Sequence, residues 1–147
     1  MTDLEYSTIM KMEKHFKNCT IDLPKAGEKR KVDVLSRTTN DCFVIDIDRR
    51  SSITLNRKKI QERHINTQER LIRLEIDGRP HTNPDGTLLS GNHIHIYKEG
   101  HGLSYAFELS DFENGLFANI ISFYDLFCSF CKYCNIGLQG ITIQDVI

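Results

Sequence analysis

Residues 29–109 alternate apolar and polar side chains with a period of two, and that pattern dictates sheet. Val32 and Val34 alternate with charged neighbours. After the turn Thr38-Thr39-Asn40-Asp41, Phe43, Ile45 and Ile47 face one way, and Val44, Asp46 and Asp48 the other. Strand neighbours point to opposite faces, so this alternation predicts an antiparallel sheet with one dry face and one wet face. Ile53 and Leu55 start a third strand, which residues 58–64 continue or follow with another. Beyond the turn Asn66-Thr67-Gln68-Glu69, Ile72, Leu74 and Ile76 alternate with Arg73, Glu75 and Asp77. Asp77-Gly78-Arg79-Pro80 breaks the run, and Asn83-Pro84-Asp85-Gly86 is a turn in which Pro presets φ and Gly admits positive φ. Residues 93–98 form a strand that Glu99-Gly100-His101-Gly102 turns back onto residues 104–109.

The period changes at both ends. Thr2-Asp3-Leu4-Glu5 has the form of a helix-capping box, and Leu4, Ile9, Met12 and Phe16 extend it as a helix over residues 3–18. Over residues 112–134, Leu116, Ile120, Phe123, Phe127 and Phe130 recur at three and four residues, which predicts a long helix lying on the dry face. Ile141-Thr142-Ile143 adds an edge strand. The expected fold class is α+β: a twisted antiparallel sheet of about five to six strands, a long C-terminal helix packed on one face and an N-terminal helix flanking it. A length of 147 residues suits one domain, 1–147.

His81, Asp85, His93 and His95 carry the clearest chemical signal. His93 and His95 share a strand face, and the loop bearing His81 and Asp85 can fold back over them. Three imidazoles plus a carboxylate, thiolate or water satisfy the tetrahedral preference of zinc. A water in the fourth position makes such a site catalytic; a protein ligand closes it and makes it structural. Cys128, Cys131 and Cys134 lie at i, i+3 and i+6, which splays the outer two about 120° apart on a helix. Cys128 and Cys131 therefore read as core thiols, and Cys134, near the helix end, as a candidate metal ligand beside the histidines. Without metal, the same histidines are exposed strand residues or an acid–base pair.

Charge is unevenly spread. Residues 20–80 hold 14 Lys/Arg and 10 Asp/Glu, whereas residues 81–147 hold 2 and 7. Arg49-Arg50 and Arg57-Lys58-Lys59, with Arg63, Arg70 and Arg73, can align into a stripe that meets phosphates, and His64 beside it is a candidate base. Aromatic residues do not interleave with this stripe, so neither base stacking nor sequence-specific nucleic-acid binding is expected. No apolar run reaches the length of a membrane span, the N-terminus is acidic, and the five cysteines are an odd count. The expectation is a cytoplasmic protein without disulfides.

The run Arg79-Pro80-His81-Thr82-Asn83-Pro84-Asp85-Gly86, then Gly91-Asn92-His93-Ile94-His95-Ile96-Tyr97-Lys98-Glu99-Gly100, with Tyr133-Cys134-Asn135-Ile136 further on, resembles a small uncharacterised domain family of bacteria and phages. The resemblance is strongest over residues 70–136. It brings no known activity, and its positions of interest here are His81, Asn83, Asp85, His93, His95 and Tyr97. By size, metal ligands and mixed fold the chain also resembles zinc-containing phage inhibitors of type II CRISPR nucleases. That resemblance implies an anti-CRISPR protein without catalysis, acting in the bacterial cytoplasm, its fold stapled by zinc on His81, His93, His95, Asp85 or Cys134, and its partner an effector nuclease. The alternative is a ribonuclease toxin of a toxin–antitoxin module that uses His81, His93 or His95 as acid and base. A hydrolase with zinc-bound water and Glu99 or Asp85 as base ranks third.

Overall fold

The chain opens with a capped helix and then turns almost entirely to strands. The computed structural model describes residues 1–52, 54, 56–118 and 122–145. Helix α1 (Asp3–Lys11) starts in the expected capping box: the Glu5 amide donates to Thr2 Oγ1 at 3.0 Å, and the Thr2 amide donates to the Glu5 carboxylate at 2.9 Å. It ends well short of residue 18, because the next residues form β1 (Lys14–Phe16), which pairs with strands on both sides. Those ladder bonds replace the helical ones, and period-two burial replaces the helical stripe.

After β2 (Thr20–Leu23) comes a meander of β3 (Lys29–Ser36), β4 (Cys42–Asp48), β5 (Lys58–His64) and β6 (Glu69–Ile76). A small hairpin follows, β7 (His81–Thr82) and β8 (Leu88–Leu89), then a second one, β9 (His93–Ile96) and β10 (Ala106–Glu108). Helix α2 (Phe123–Tyr133), β11 (Ile136–Gly137) and β12 (Thr142–Asp145) complete the chain. Among the described residues the main sheet has eight strands in the order β10-β9-β6-β5-β4-β3-β1-β11, antiparallel except where β11 joins β1, so it is larger than the expected five to six. Residues 58–64 form a strand of their own, whereas Ile53 and Leu55 lie outside the described residues. The C-terminal strand pairs in parallel with β2, not with an edge of the main sheet.

Register sorts the side chains. Ile47, Ile60, Leu74 and Ile94 form one row across β4, β5, β6 and β9, and all four are fully buried. Each such side chain contributes about 1.5–3 kcal/mol by leaving water. Ile9 of α1 and Leu126, Phe127 and Phe130 of α2 belong to the same core. The opposite face carries two polar rows, Asp46–Gln61–Arg73–His95 and Asp48–Lys59–Glu75–His93–Glu108. No helix among the described residues is long and apolar enough to cross a membrane.

The long C-terminal helix over residues 112–134 is corrected to the 11 residues of α2. A short 3-10 turn, Phe112–Gly115, contains Glu113 and Asn114 at φ 46° and 57°, and Gly115 follows at 79°. Consecutive left-handed residues end a right-handed helix. A new one starts at Ser122, whose hydroxyl accepts from the Asp125 amide at 3.1 Å. Ile120 and Ile121 lie outside the described residues.

Two glycines close the base of the loop between β6 and β9. The Gly78 amide donates to the Gly91 carbonyl at 3.0 Å, and a Cβ on Gly91 would lie 2.3 Å from the Gly78 carbonyl oxygen. Replacing Gly91 by Ala forces these backbones apart. The expected loss is about 2 kcal/mol, in the range of overpacked sites, read as a lowered urea midpoint. An unchanged midpoint would show that the contact yields freely.

Candidate metal centre

Strand register delivers the centre. Glu75 on β6 lies opposite His93 on β9, and Arg73 lies opposite His95, so all four project from the polar face. The hairpin β7–β8 covers them, docked by Asn83, whose side-chain amide donates to the Ala106 carbonyl at 3.0 Å and accepts from the Ala106 amide at 2.9 Å. Asn83 thus acts as a short strand partner for the edge of β10. Ser90 ties the end of the loop to Glu108: its hydroxyl and amide donate to that carboxylate at 2.6 and 2.9 Å. His93, His95 and Glu75 are 1%, 2% and 7% exposed beneath this cover.

Both imidazoles are locked. His93 Nδ1 lies 2.7 Å from the Ser90 carbonyl, and His95 Nδ1 lies 2.7 Å from the Leu103 carbonyl. A carbonyl only accepts, so each Nδ1 carries the proton and each Nε2 is left to face inward. Both Nε2 atoms converge on one oxygen, Glu75 Oε2, at 3.1 Å each. The ligand atoms of Glu75, His93 and His95 all lie within 4.8 Å of one another. In a zinc tetrahedron with bonds of 2.0–2.1 Å, neighbouring ligands stand about 3.3 Å apart, close to what the two contacts show. Backbone acceptors on the far nitrogen are also what orient metal-bound histidines.

Arginines share the site. Arg57 Nη2 is 3.4 Å from Glu75 Oε1, Arg73 Nε is 3.4 Å from Oε2, and Arg73 Nη2 is 3.3 Å from His95 Nε2. Burial opposes ionisation of Glu75, but hydrogen bonds from His93 and His95 and the charge of Arg73 outweigh it and hold the carboxyl well below its usual range. Burial likewise disfavours charge on His93, yet the Glu75 hydrogen bond prevails and raises its pKa. For His95 burial, joined by the Arg73 charge, prevails, and its pKa falls.

The structure brings His81, His93 and His95 together. The His81 ring centroid lies 4.6 Å from that of His95 and 5.5 Å from that of His93, and its Nε2 is 2.9 Å from the Ser104 carbonyl. Asp85 is elsewhere: it is exposed at the hairpin tip, where its carboxylate accepts from the Thr87 amide at 2.9 Å. Cys134 is also elsewhere, for it is fully buried against Glu62, on the apolar face of the sheet, where burial pushes its thiol up. Tyr97 leaves the histidine row: β9 ends at Ile96, and Tyr97 stacks on Tyr6 at 5.4 Å and donates to the Met1 carbonyl. His64 is buried away from the basic stripe, held between Asp41 Oδ1 at 2.6 Å and Thr67 Oγ1 at 2.7 Å, where it clips two turns together. Glu75 is the member of this cluster that sequence reading missed. Its signal was its place on the wet face of the strand before the histidine loop, with Arg73 beside it.

No curated protein and no solved structure matches this chain. One family does, over residues 1–136, and by that match the chain belongs to DUF6978, a family of unknown function.

Proposed function

We propose that the chain is a zinc-stapled binding protein whose partner is a type II CRISPR effector nuclease that it inhibits. The observation that carries the metal is the convergence of two carbonyl-locked imidazoles on one carboxylate oxygen. One divalent ion held by His93 Nε2, His95 Nε2 and Glu75 fits this convergence of ligand atoms. His81, after a side-chain rotation, supplies the fourth ligand. A buried ion with four protein ligands has no place for substrate, so it builds structure by pinning the β7–β8 hairpin to the sheet. Function then belongs to the surface, which is the part the resemblance to phage inhibitors assigns to nuclease docking.

The test has two steps. Metal analysis of untagged protein is expected to find about one zinc per chain. The zinc-loaded protein is then titrated into a DNA-cleavage assay with a type II effector. Absence of metal removes the staple, and full cleavage at excess protein removes the partner.

A second reading, acid–base cleavage of RNA, is favoured by one observation: half-exposed His81 sits next to His95, which contacts Arg73 at the rim of a cationic groove. It predicts RNA cleavage that survives EDTA. Intact RNA after long incubation would retire it.

A further inference from the structure

A groove of about 240 Å³ runs along the polar face of the sheet beside the metal centre. Its lining includes Lys29, Lys31, Lys59, Arg50 and Arg73, with Asp46 and Asp48 as its carboxylates. Both carboxylates are already hydrogen-bonded to arginines, Asp48 to Arg50 at 2.9 Å and Asp46 to Arg63 at 2.6 Å. Among the described residues Lys29, Lys31 and Lys59 make no ion pair. Lys29 and Lys31 are two residues apart on β3, so their side chains share this face at about 6.8 Å. Lys59 stands two strands away and Arg73 three, which gives a cationic track across the sheet.

Arg73 belongs to both places. It lines the groove, and its guanidinium leans into the centre, 3.4 Å from Glu75 Oε2 and 3.3 Å from His95 Nε2. Its Nε is buried, with no hydrogen-bond partner among the described residues. An ion on Glu75 and His95 takes both of these acceptors and repels the guanidinium, whose nearest open space is the groove.

We propose that this groove binds the phosphate backbone of a nucleic acid by charge and without regard to sequence, an oligouridylate serving as the probe, and that metal in the Glu75–His93–His95 centre strengthens the binding by releasing Arg73 into it. The occupant follows from charge: cations outnumber carboxylates along a narrow track, which meets a polyanion, and with no aromatic side chain among the groove's lining residues to stack bases the contact is confined to phosphates. The Arg73 half rests on the metal centre proposed above; the lysine half does not. Coupling of this kind is reciprocal, so the nucleic acid also tightens metal binding.

The experiment uses the full chain and a fluorescent oligouridylate, with zinc affinity measured first without RNA. About four phosphate contacts give a log–log salt slope near −3, or roughly fifty-fold weaker binding between 50 and 200 mM salt. The triple variant Lys29→Gln, Lys31→Gln, Lys59→Gln is expected to flatten that slope to about −0.7. Zinc is expected to tighten wild-type binding at least about fivefold, and Arg73→Gln to abolish that gain while retaining zinc. No binding at low salt, or a triple variant equal to wild type, overturns the groove. A zinc response that persists in Arg73→Gln, or is absent from a zinc-loaded wild type, overturns the coupling. A chain that binds RNA but takes up no zinc overturns both the coupling and the staple, and leaves the groove standing.

Discussion

Chelation of the zinc-loaded protein is expected to lower its melting temperature by roughly 8–16 °C. Free zinc three orders of magnitude above its dissociation constant stabilises the folded state by about 4 kcal/mol. A chain near 150 residues moves about 2–4 °C per kcal/mol. The proposed ligands come from two strands and a hairpin, β6, β9 and β7, so an ion held by them would close a long segment of chain onto the sheet. His93→Ala and His95→Ala should each abolish zinc uptake and reproduce the chelated melting curve. Asp85→Ala should keep both zinc and nearly all of the stability, because that carboxylate only closes a turn. A His93→Ala protein that melts like wild type and still carries zinc would eliminate the centre.

Sheet was the legible part of this fold, because it is written locally. Phe43, Ile45 and Ile47 alternate along one strand and are all fully buried, and the alternation needs no knowledge of neighbours. The shared face of His93 and His95 was legible for the same reason. Glu75 was not, since its role depends on β6–β9 register, and pairing partners are set by the whole sheet rather than by either strand. Cys134 erred in the same way. It is near the helix end, as its position suggested, but the helix packs on the apolar face, and the sheet separates it from the histidines. The overlong helix arose from following Leu116 and Phe117 as a helical stripe past Asn114-Gly115. Phe117 is indeed buried, but from a turn, so the burial was legible and the backbone carrying it was not. Asn-Gly and the Ser122 cap were the local signals that outweighed the periodicity.

Glu62 is the other residue whose replacement should move stability most, and its effect should depend on pH. It stands on the apolar side of β5 between Ile60 and His64, fully buried, and among the described residues neither carboxylate oxygen finds a hydrogen-bond partner. Lys14, also fully buried, is the cation that offsets it; Lys14 Nζ donates to the Met10 and Cys134 carbonyls at 3.0 and 2.7 Å. Burial pushes the Glu62 carboxyl up to about 7, against the opposing charge of Lys14. A carboxyl raised from 4.5 in the unfolded chain to about 7 in the fold binds more protons folded than unfolded between those values. Stability therefore falls as pH rises through that window, by roughly 3 kcal/mol at about 1.4 kcal/mol per pH unit. Glu62→Gln removes the titration, so its advantage over wild type should be absent below pH 4.5, grow up to about pH 7 and then level off. Lys14→Met should act in the opposite direction, costing about 3–5 kcal/mol at pH 8 because it leaves a buried carboxylate without its cation. The double variant Lys14→Met, Glu62→Leu should recover most of that loss, since an apolar pair needs no compensation there. Urea denaturation of the four proteins at pH 4.5 and pH 8 reads all three expectations. A difference between wild type and Glu62→Gln that is the same at both pH values would show that Glu62 titrates alike in the folded and unfolded chain.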